Sequence, residues 1–337
     1  MGNLADTMQA ITLAKAQEEF VLLKQSIATP KRQDSELLIR VEFVGLNPID
    51  AKLAKQGFAD WQYPHILGLD AVGTVVDAPV GVSPNIGDQV MWHANIQQQG
   101  MLAEYVAVPN FAVSKLPDGL SAETAAALPC AGMAALFALD KLQIKEGDNL
   151  LVEAGAGAVG QFAIQFAKQR GAIVFTTAAK STHSYLKKLG ADECFEHKDK
   201  KLLNKFKMAL GHSEFDAVID SVGGDNTIRN IELLRFCGKI ACLNGLPELP
   251  PELLFHKAPV INIVSLSGAW LTHSLCAQQH MSFMGNLLMN SVNDGSIKAP
   301  AIVPIAFQAD AVTQALKQQL QGGLFAKQVV HVANTIN

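Results

Sequence analysis

Six residues near the middle of the chain, Gly155-Ala156-Gly157-Ala158-Val159-Gly160, have the types and spacing of a loop that cradles phosphate. Gly155 permits a tight turn. Gly157 lets backbone approach a pyrophosphate, and Gly160 lets the following helix pack on the preceding strand. Ala158 and Val159 open that helix, whose N-terminus meets the anion's charge. The same pattern also occurs as a bare tight turn, so its context decides. Here the strand-like NLLVEA precedes it. A helix carrying Val159, Phe162, Ala163, Phe166 and Ala167 on one face runs out of it, and AIVFTT follows. Strand, loop, helix and second strand form the setting of a dinucleotide site.

The identity of the dinucleotide is read about twenty residues further on, where NAD sites place Asp or Glu on the ribose 2′-hydroxyl. That point falls at Thr176-Thr177-Ala178, which holds no acid, and Lys180, Ser181, His183 and Tyr185 follow. A cation with hydroxyls suits a 2′-phosphate, so the expected cofactor is NADP(H), with Lys180 as a point charge. The alternative is that Lys180 is a solvated surface lysine.

The elements that must position this loop change character along the chain. Through residue 125, short strand-like runs (ELLIRVEFVGL, AVGTVVDA, GDQVMWHA, LAEYVAVP) are separated by turn residues, as in a small β-barrel. From 129 to 270 apolar strands alternate with helical periods, the pattern of a doubly wound parallel sheet. The last segment, 271–337, holds two helical stretches and the strand-like KQVVHV, and is expected to return to complete the first domain.

Composition narrows the function classes. The chain has 337 residues, 49% hydrophobic and 17% charged, with a net charge of −4. That suits a packed two-domain protein and gives no basic excess for nucleic acid. The apolar run AETAAALPCAGMAALFAL carries Glu123, Pro129 and Gly132, and reads as a buried helix pair rather than a membrane span. The N-terminal segment lacks a basic stretch followed by an apolar core, so no signal peptide is expected. Five scattered cysteines without CxxC spacing suit a reducing cytoplasm.

GLNPIDAK (45–52), PHILGLDAVGTVV (64–76), GDQV (87–90), GMLAEYVAVP (100–109), LPDGLSAETAAALPCAG (116–132), AGAGAVG (154–160), LGAD (189–192) and DSVGG (220–224) occur in that order. By these the chain resembles the medium-chain dehydrogenase/reductase superfamily and, within it, the zinc-independent quinone oxidoreductase branch, both zeta-crystallin-like and alkenal reductase-like. The resemblance implies an α/β architecture: a Rossmann NADP-binding domain, 129–271, inserted into a GroES-like β-barrel domain, 1–128 and 272–337. Zinc-using members carry Cys within the first motif and Gly-His-Glu in the second. This chain has Gly68-Leu69-Asp70 and no Cys before 130. A catalytic zinc needs about three protein ligands, so no metal is expected. Isolated His65 and His93 are read as hydrogen-bonded residues.

Without zinc, reduction of an activated acceptor is easier than alcohol oxidation. The resemblance implies hydride transfer from NADPH to a quinone or an α,β-unsaturated carbonyl. It places Asn47 beside the nicotinamide ribose. Lys52 either holds the ribose, donates to the substrate oxygen, or is a surface lysine after a turn. By position, Asn244 and Gly245 lie under the nicotinamide, Gly268, Ala269 and Trp270 lie near its carboxamide, and Lys327 contacts phosphate. The substrate pocket is expected in a cleft between domains, lined by Lys52, Trp61, Tyr63, Trp92, His93 and Trp270. A small-molecule substrate and a homodimer, joined through VINIVSLSG, are expected; nucleic acid and membrane are not. Two other functions stay open: a non-catalytic NADPH-binding, crystallin-like protein, and an alcohol dehydrogenase-type enzyme.

Overall fold

The computed structural model describes residues 4–332, so the first three residues of the N-terminal segment and the last five lie outside it. The chain divides into two compact units, Met1–Met133 with Leu266–Asn337, and Ala134–Ser265. The sequence reading sets the divisions at 128/129 and 271/272. The structure sets them at 133/134 and 265/266.

The first unit is built on β1 (Thr7–Leu13), β2 (Leu22–Ala28), β3 (Glu36–Gly45), β4 (His65–Ile66), β5 (Asp70–Asp77), β6 (Gln89–His93), β7 (Tyr105–Pro109) and β8 (Val113–Lys115). Helix α1 (Pro48–Gln56) follows β3, and α2 (Ala122–Ala126) and α3 (Pro129–Leu142) follow β8. The long apolar run is thus a helix pair, with Pro129 at the first position of α3, where a missing N–H costs nothing. β3 is the hub. It pairs antiparallel with β5 and β7, and with a strand that returns from the C-terminal segment. Its Leu37, Ile39, Val41 and Val44 are buried in one core with Ile11, Ala71, Val90 and Trp92. Each such side chain contributes roughly 1.5–3 kcal/mol on burial.

The second unit carries a six-stranded, all-parallel sheet made of β9 (Asn149–Val152), β10 (Ile173–Ala178), β11 (Glu193–Glu196), β12 (Phe215–Asp220), β13 (Leu234–Cys242) and β14 (Val260–Ile263). Their spatial order is β11-β10-β9-β12-β13-β14. The order reverses between β9 and β12, the switch point where such sheets bind ligands. Helices α4 (Ala158–Gln169), α5 (His183–Lys188), α6 (Leu202–Leu210), α7 (Asp225–Leu233) and α8 (Pro251–Lys257) connect the strands. The fold is therefore the GroES-like β domain with an inserted Rossmann sheet that the sequence reading expects.

The chain then returns to the first unit through α9 (Gly268–Leu271), α10 (Leu275–Asn293), β15 (Ile302–Ala306), α11 (Ala309–Gln321) and β16 (Lys327–His331). β15 lies at the sheet edge, parallel to β16. No helix among the described residues is long and apolar enough to cross a membrane.

Candidate functional site

In the second unit the glycine loop joins β9 to α4. Its three glycines answer to different needs. A Cβ on Gly155 would lie 2.0 Å from Thr176 Oγ1, and one on Gly160 would lie 2.5 Å from Gly155 Cα. Both are required by packing. A Cβ on Gly157 would meet nothing nearer than Ala154 O at 3.4 Å. Gly157 is not required by packing: a Cβ there would make only ordinary contact. It caps α4, and its N–H donates to Ala154 O at 3.0 Å.

The neighbouring residues are partly committed. Thr177 is buried; its hydroxyl donates to Glu153 Oε2 at 2.5 Å and accepts from Ala154 N at 3.1 Å, holding the loop to the end of β10. Ala178 ends that strand and is buried. Lys180 and Ser181 begin an exposed 3-10 turn, and Glu196 Oε2 accepts the Lys180 N–H at 2.7 Å. Tyr185 donates to Gln161 Oε1 at 3.3 Å, and burial pushes its phenol up. Asn244 donates to Ser221 O at 2.6 Å, and Gly245 has φ +80°. Ser221 Oγ, Arg229 Nε and Asn230 Nδ2 are buried with no partner among the described residues. These three polar atoms belong to the end of β12 and to α7, beside the switch point. The sequence reading missed them, together with Glu153, which pairs with Arg229. Asp220-Ser221 within DSVGG was the available signal.

In the first unit, strand pairing assembles a buried polar cluster. Gly45 opposes Asp70, Asp70 opposes His93, and Val329 opposes Gly45, so the ends of β3, β5, β6 and β16 meet. Gly45 must be glycine, because a Cβ would lie 2.2 Å from Ala126 O. Asn47 caps α1, and Asp50 in that helix's first turn accepts the Asn47 N–H at 2.8 Å in a capping box. Asp70 is the hub. Oδ1 is 2.7 Å from His93 Nδ1, and Oδ2 accepts Asn47 Nδ2 at 2.8 Å. The Cys130 N–H, at the start of α3, reaches both oxygens at 3.1 and 3.0 Å. The Lys327 ammonium donates to Asn47 Oδ1 and lies 3.5 Å from Asp70 Oδ2. Lys327 is only 4% exposed. Within the chain, this lysine sets its positive charge beside a buried carboxylate.

The cluster's ionisation follows from its geometry. Burial works to raise the Asp70 pKa, but the His93 hydrogen bond and the Lys327 charge outweigh it and hold the group below its ordinary value. Asp50 is pushed up to about 7, first by burial and then by the charge on Asp70. Its Oδ1 is buried without a partner among the described residues. Burial, with the Asp70 charge, also pushes the Cys130 thiol up.

A cavity of about 410 Å³ lies in this unit, with Ile66, Trp92, His93, Met101, Tyr105 and Trp270 among its walls. Trp92 donates to Met101 Sδ at 3.1 Å. Trp270 Nε1 is buried and has no partner among the described residues. Of the expected pocket residues, Trp92, His93 and Trp270 meet here, while Tyr63 is 40% exposed and lies elsewhere. Trp61 stacks on His65 at 3.6 Å, and burial holds His65 down at about 4. Lys52 stands on the exposed face of α1. The Ala269 carbonyl accepts Gln278 Nε2 at 3.0 Å.

Asp70, His93 and Cys130 bring their ligand atoms within 4.8 Å of one another, a set whose chemistry zinc accepts. The surroundings do not fit the ion. Both Asp70 oxygens are already taken by donors, and Lys327 supplies the positive charge.

Together the glycine loop on a doubly wound sheet and the GroES-like unit define a two-domain, nucleotide-dependent oxidoreductase fold. Comparison with known proteins agrees. Residues 33–118 match the alcohol dehydrogenase GroES-like domain, and residues 158–286 match the zinc-binding dehydrogenase family. A quinone oxidoreductase from Coxiella burnetii is 31% identical and superposes with a TM-score of 0.81 over 97% of this chain and 100% of that one. A mycobacterial protein complexed with NADPH is 26% identical, with a TM-score of 0.82 over 96% and 99%. A zinc-type alcohol dehydrogenase-like protein of Staphylococcus aureus is 34% identical over 56% of this chain. The match spans 58% of that relative's length. The chain belongs to the medium-chain dehydrogenase/reductase family, in the group of the quinone oxidoreductases.

Proposed function

We propose that the protein is an NADPH-dependent reductase that passes hydride to a quinone or an α,β-unsaturated carbonyl without zinc. The observation that carries this reading is the buried Lys327, which occupies electrostatically the role a metal would take beside Asp70. A site neutralised in this way has no Lewis acid for alcohol oxidation, but it can still bind and orient an acceptor that is already activated.

The dinucleotide fits the second unit. Gly157 leaves an open approach to the head of α4, and the unpartnered Ser221, Arg229 and Asn230 atoms suit a polar ligand at the switch point. When bound, NADPH supplies the hydride. Gly155, Gly157, Ala158, Val159 and Gly160 would hold its pyrophosphate. Lys180 and Ser181 would take the 2′-phosphate, with Thr177, Ala178 and Tyr185 shaping that end. Asn244, Gly245 and Ala269 are assigned to the nicotinamide end. Asn47, fixed by Lys327 and Asp70, would present a rigid edge to the ribose, and Lys327 would act through it. Lys52 is assigned to the ribose or the substrate oxygen. The cavity walled by Trp92, His93 and Trp270 would seat a flat acceptor.

Support for the cofactor comes from the NADPH complex of the mycobacterial relative, and for the acceptor from the Coxiella relative's name. β14 is an edge strand with Val260 and Ile263 exposed, which favours pairing with a second copy. A cytoplasmic location accords with the five free cysteines.

The test is NADPH oxidation at 340 nm with a benzoquinone, a naphthoquinone, a short enone and an alkenal, with NADH as control. Turnover preferring NADPH is expected. Tight NADPH binding without turnover of any of the four would replace the reading with a binding protein.

A further inference from the structure

We propose that His93, held by Asp70, is the proton donor that completes this reduction. The proposal rests on the reductase reading and names the residue that finishes its chemistry. His93 Nδ1 is committed to Asp70 Oδ1 at 2.7 Å, and the ring forms part of the cavity wall. Asp70 therefore fixes the tautomer: Nδ1 carries the hydrogen toward the carboxylate, and Nε2 is the nitrogen left for the cavity.

The rest of the cluster makes this arrangement rigid. Asp70 cannot turn, because Asn47, Cys130 N–H and Lys327 hold its oxygens. When Nε2 also carries a proton, the Asp70 carboxylate faces the resulting cation across the Nδ1 hydrogen bond. The titratable groups around the ring are Asp70 from β5, Asp50 from α1, Cys130 from α3 and Lys327 from β16. Burial keeps the Cys130 thiol protonated, and Lys327 is tied to Asn47. Neither can reach an acceptor as readily as the cavity-lining imidazole.

Proton delivery answers a specific need. Ile66 and Met101 make part of the cavity wall apolar, and an oxyanion formed against them is costly unless it is protonated or met by a donor. As hydride arrives, the acceptor gains two electrons and negative charge develops on its carbonyl oxygen. The Nε2–H bond breaks and an O–H bond forms, with the electron pair left on Nε2. Reduced nicotinamide, acceptor and one proton give oxidised nicotinamide and a hydroquinone, or an enol that becomes the ketone in water. Solvent then reprotonates His93.

The test compares the wild-type protein with His93→Gln, which keeps a polar side chain but cannot exchange a proton in this range. Two acceptors are used with NADPH: a naphthoquinone, and a halogenated benzoquinone whose reduced anion is too weak a base to need the donor. His93→Gln should lower kcat for the naphthoquinone about 100-fold, the usual scale of general acid catalysis. NADPH affinity and KM should be kept, and the halogenated acceptor should lose far less. The wild-type fall in kcat toward high pH should disappear in the variant. A structural role for His93 would slow both acceptors alike. The wild-type hydride step, followed by stopped flow, should also be slower in D2O, a readout independent of any substitution.

Wild-type kcat and pH profile in His93→Gln, or equal loss with both acceptors, would overturn the proposal while leaving the reductase reading intact. No solvent isotope effect would overturn it in the same way. A wild-type protein that reduces neither acceptor would overturn the reading and the proposal together.

Discussion

Replacing Asp50 with Asn probes the buried cluster through its pH dependence. Asp50 is fully buried, and its pKa is raised from 3.8 to about 7, by burial first and the Asp70 charge second. The sign follows from linkage. The folded state holds the Asp50 proton more tightly than the unfolded chain, so stability is fullest below the unfolded pKa. It declines as pH rises from about 4 to about 7 and then levels off. At about 1.36 kcal/mol per tenfold change in proton affinity, the ionised group costs the fold about 4 kcal/mol at pH 8. Asparagine keeps an oxygen for the Asn47 N–H, but it puts an amide donor where Oδ1 now lacks a partner. Leaving that donor unmet costs about 1–3 kcal/mol at any pH. Asp50→Asn should therefore stabilise the protein by about 1–3 kcal/mol at pH 8, and its stability relative to the wild type should fall by about 3 kcal/mol between pH 8 and pH 4.5. All three tryptophans, Trp61, Trp92 and Trp270, belong to the unit that holds Asp50. Denaturant melts followed by tryptophan fluorescence from pH 4.5 to 8.5 thus report the right unit. A stability difference that does not change sign or size across that range would refute the reasoning.

Further predictions follow from the same geometry. Gly157→Ala should fold normally yet weaken NADPH binding about tenfold or more, whereas Gly160→Ala should lower stability by about 1–3 kcal/mol, since its Cβ would press on Gly155 Cα at 2.5 Å. Thermal melts with and without NADPH separate the two. Lys180→Ala should weaken NADPH more than NADH in fluorescence titrations; equal weakening would remove Lys180 from the 2′-phosphate. Glu196→Gln should tighten NADPH and leave NADH unchanged at low ionic strength, because it removes a negative charge beside the Lys180 N–H while keeping the acceptor oxygen. Lys327→Met should destabilise the first unit by about 1–3 kcal/mol by removing the donor to Asn47 and the charge beside Asp70, and an unchanged denaturation midpoint would contradict the role given to that lysine.

Much of the fold is legible in the sequence because its signals are local. The glycine loop, the apolar strands NLLV and FDAVID and the stripe on α4 each declare themselves within a short window. β15 does not, because Pro304 interrupts it; the proline is tolerated since β15 pairs only with β16 at the sheet edge. The polar cluster is least legible. Asn47, Asp70, His93, Cys130 and Lys327 are far apart in sequence and meet only through strand register and the start of α3. The sequence motifs pointed to Asn47 and Lys327 singly, but not to their contact with each other. Within the chain, the lysine's anionic neighbour is Asp70. Likewise, acids do lie at the end of β10, contributed by neighbouring strands: Glu153, engaged by Thr177 and Arg229, and Glu196, opposite Ala178 and accepting the Lys180 N–H.

The most direct test of metal-free reductase chemistry is NADPH oxidation by a naphthoquinone in chelator-treated protein whose zinc content is measured in the same sample. Undiminished turnover with no bound zinc is the predicted result. Turnover that is lost on chelation and restored by zinc would contradict the account, and would return Asp70, His93 and Cys130 to the role of metal ligands.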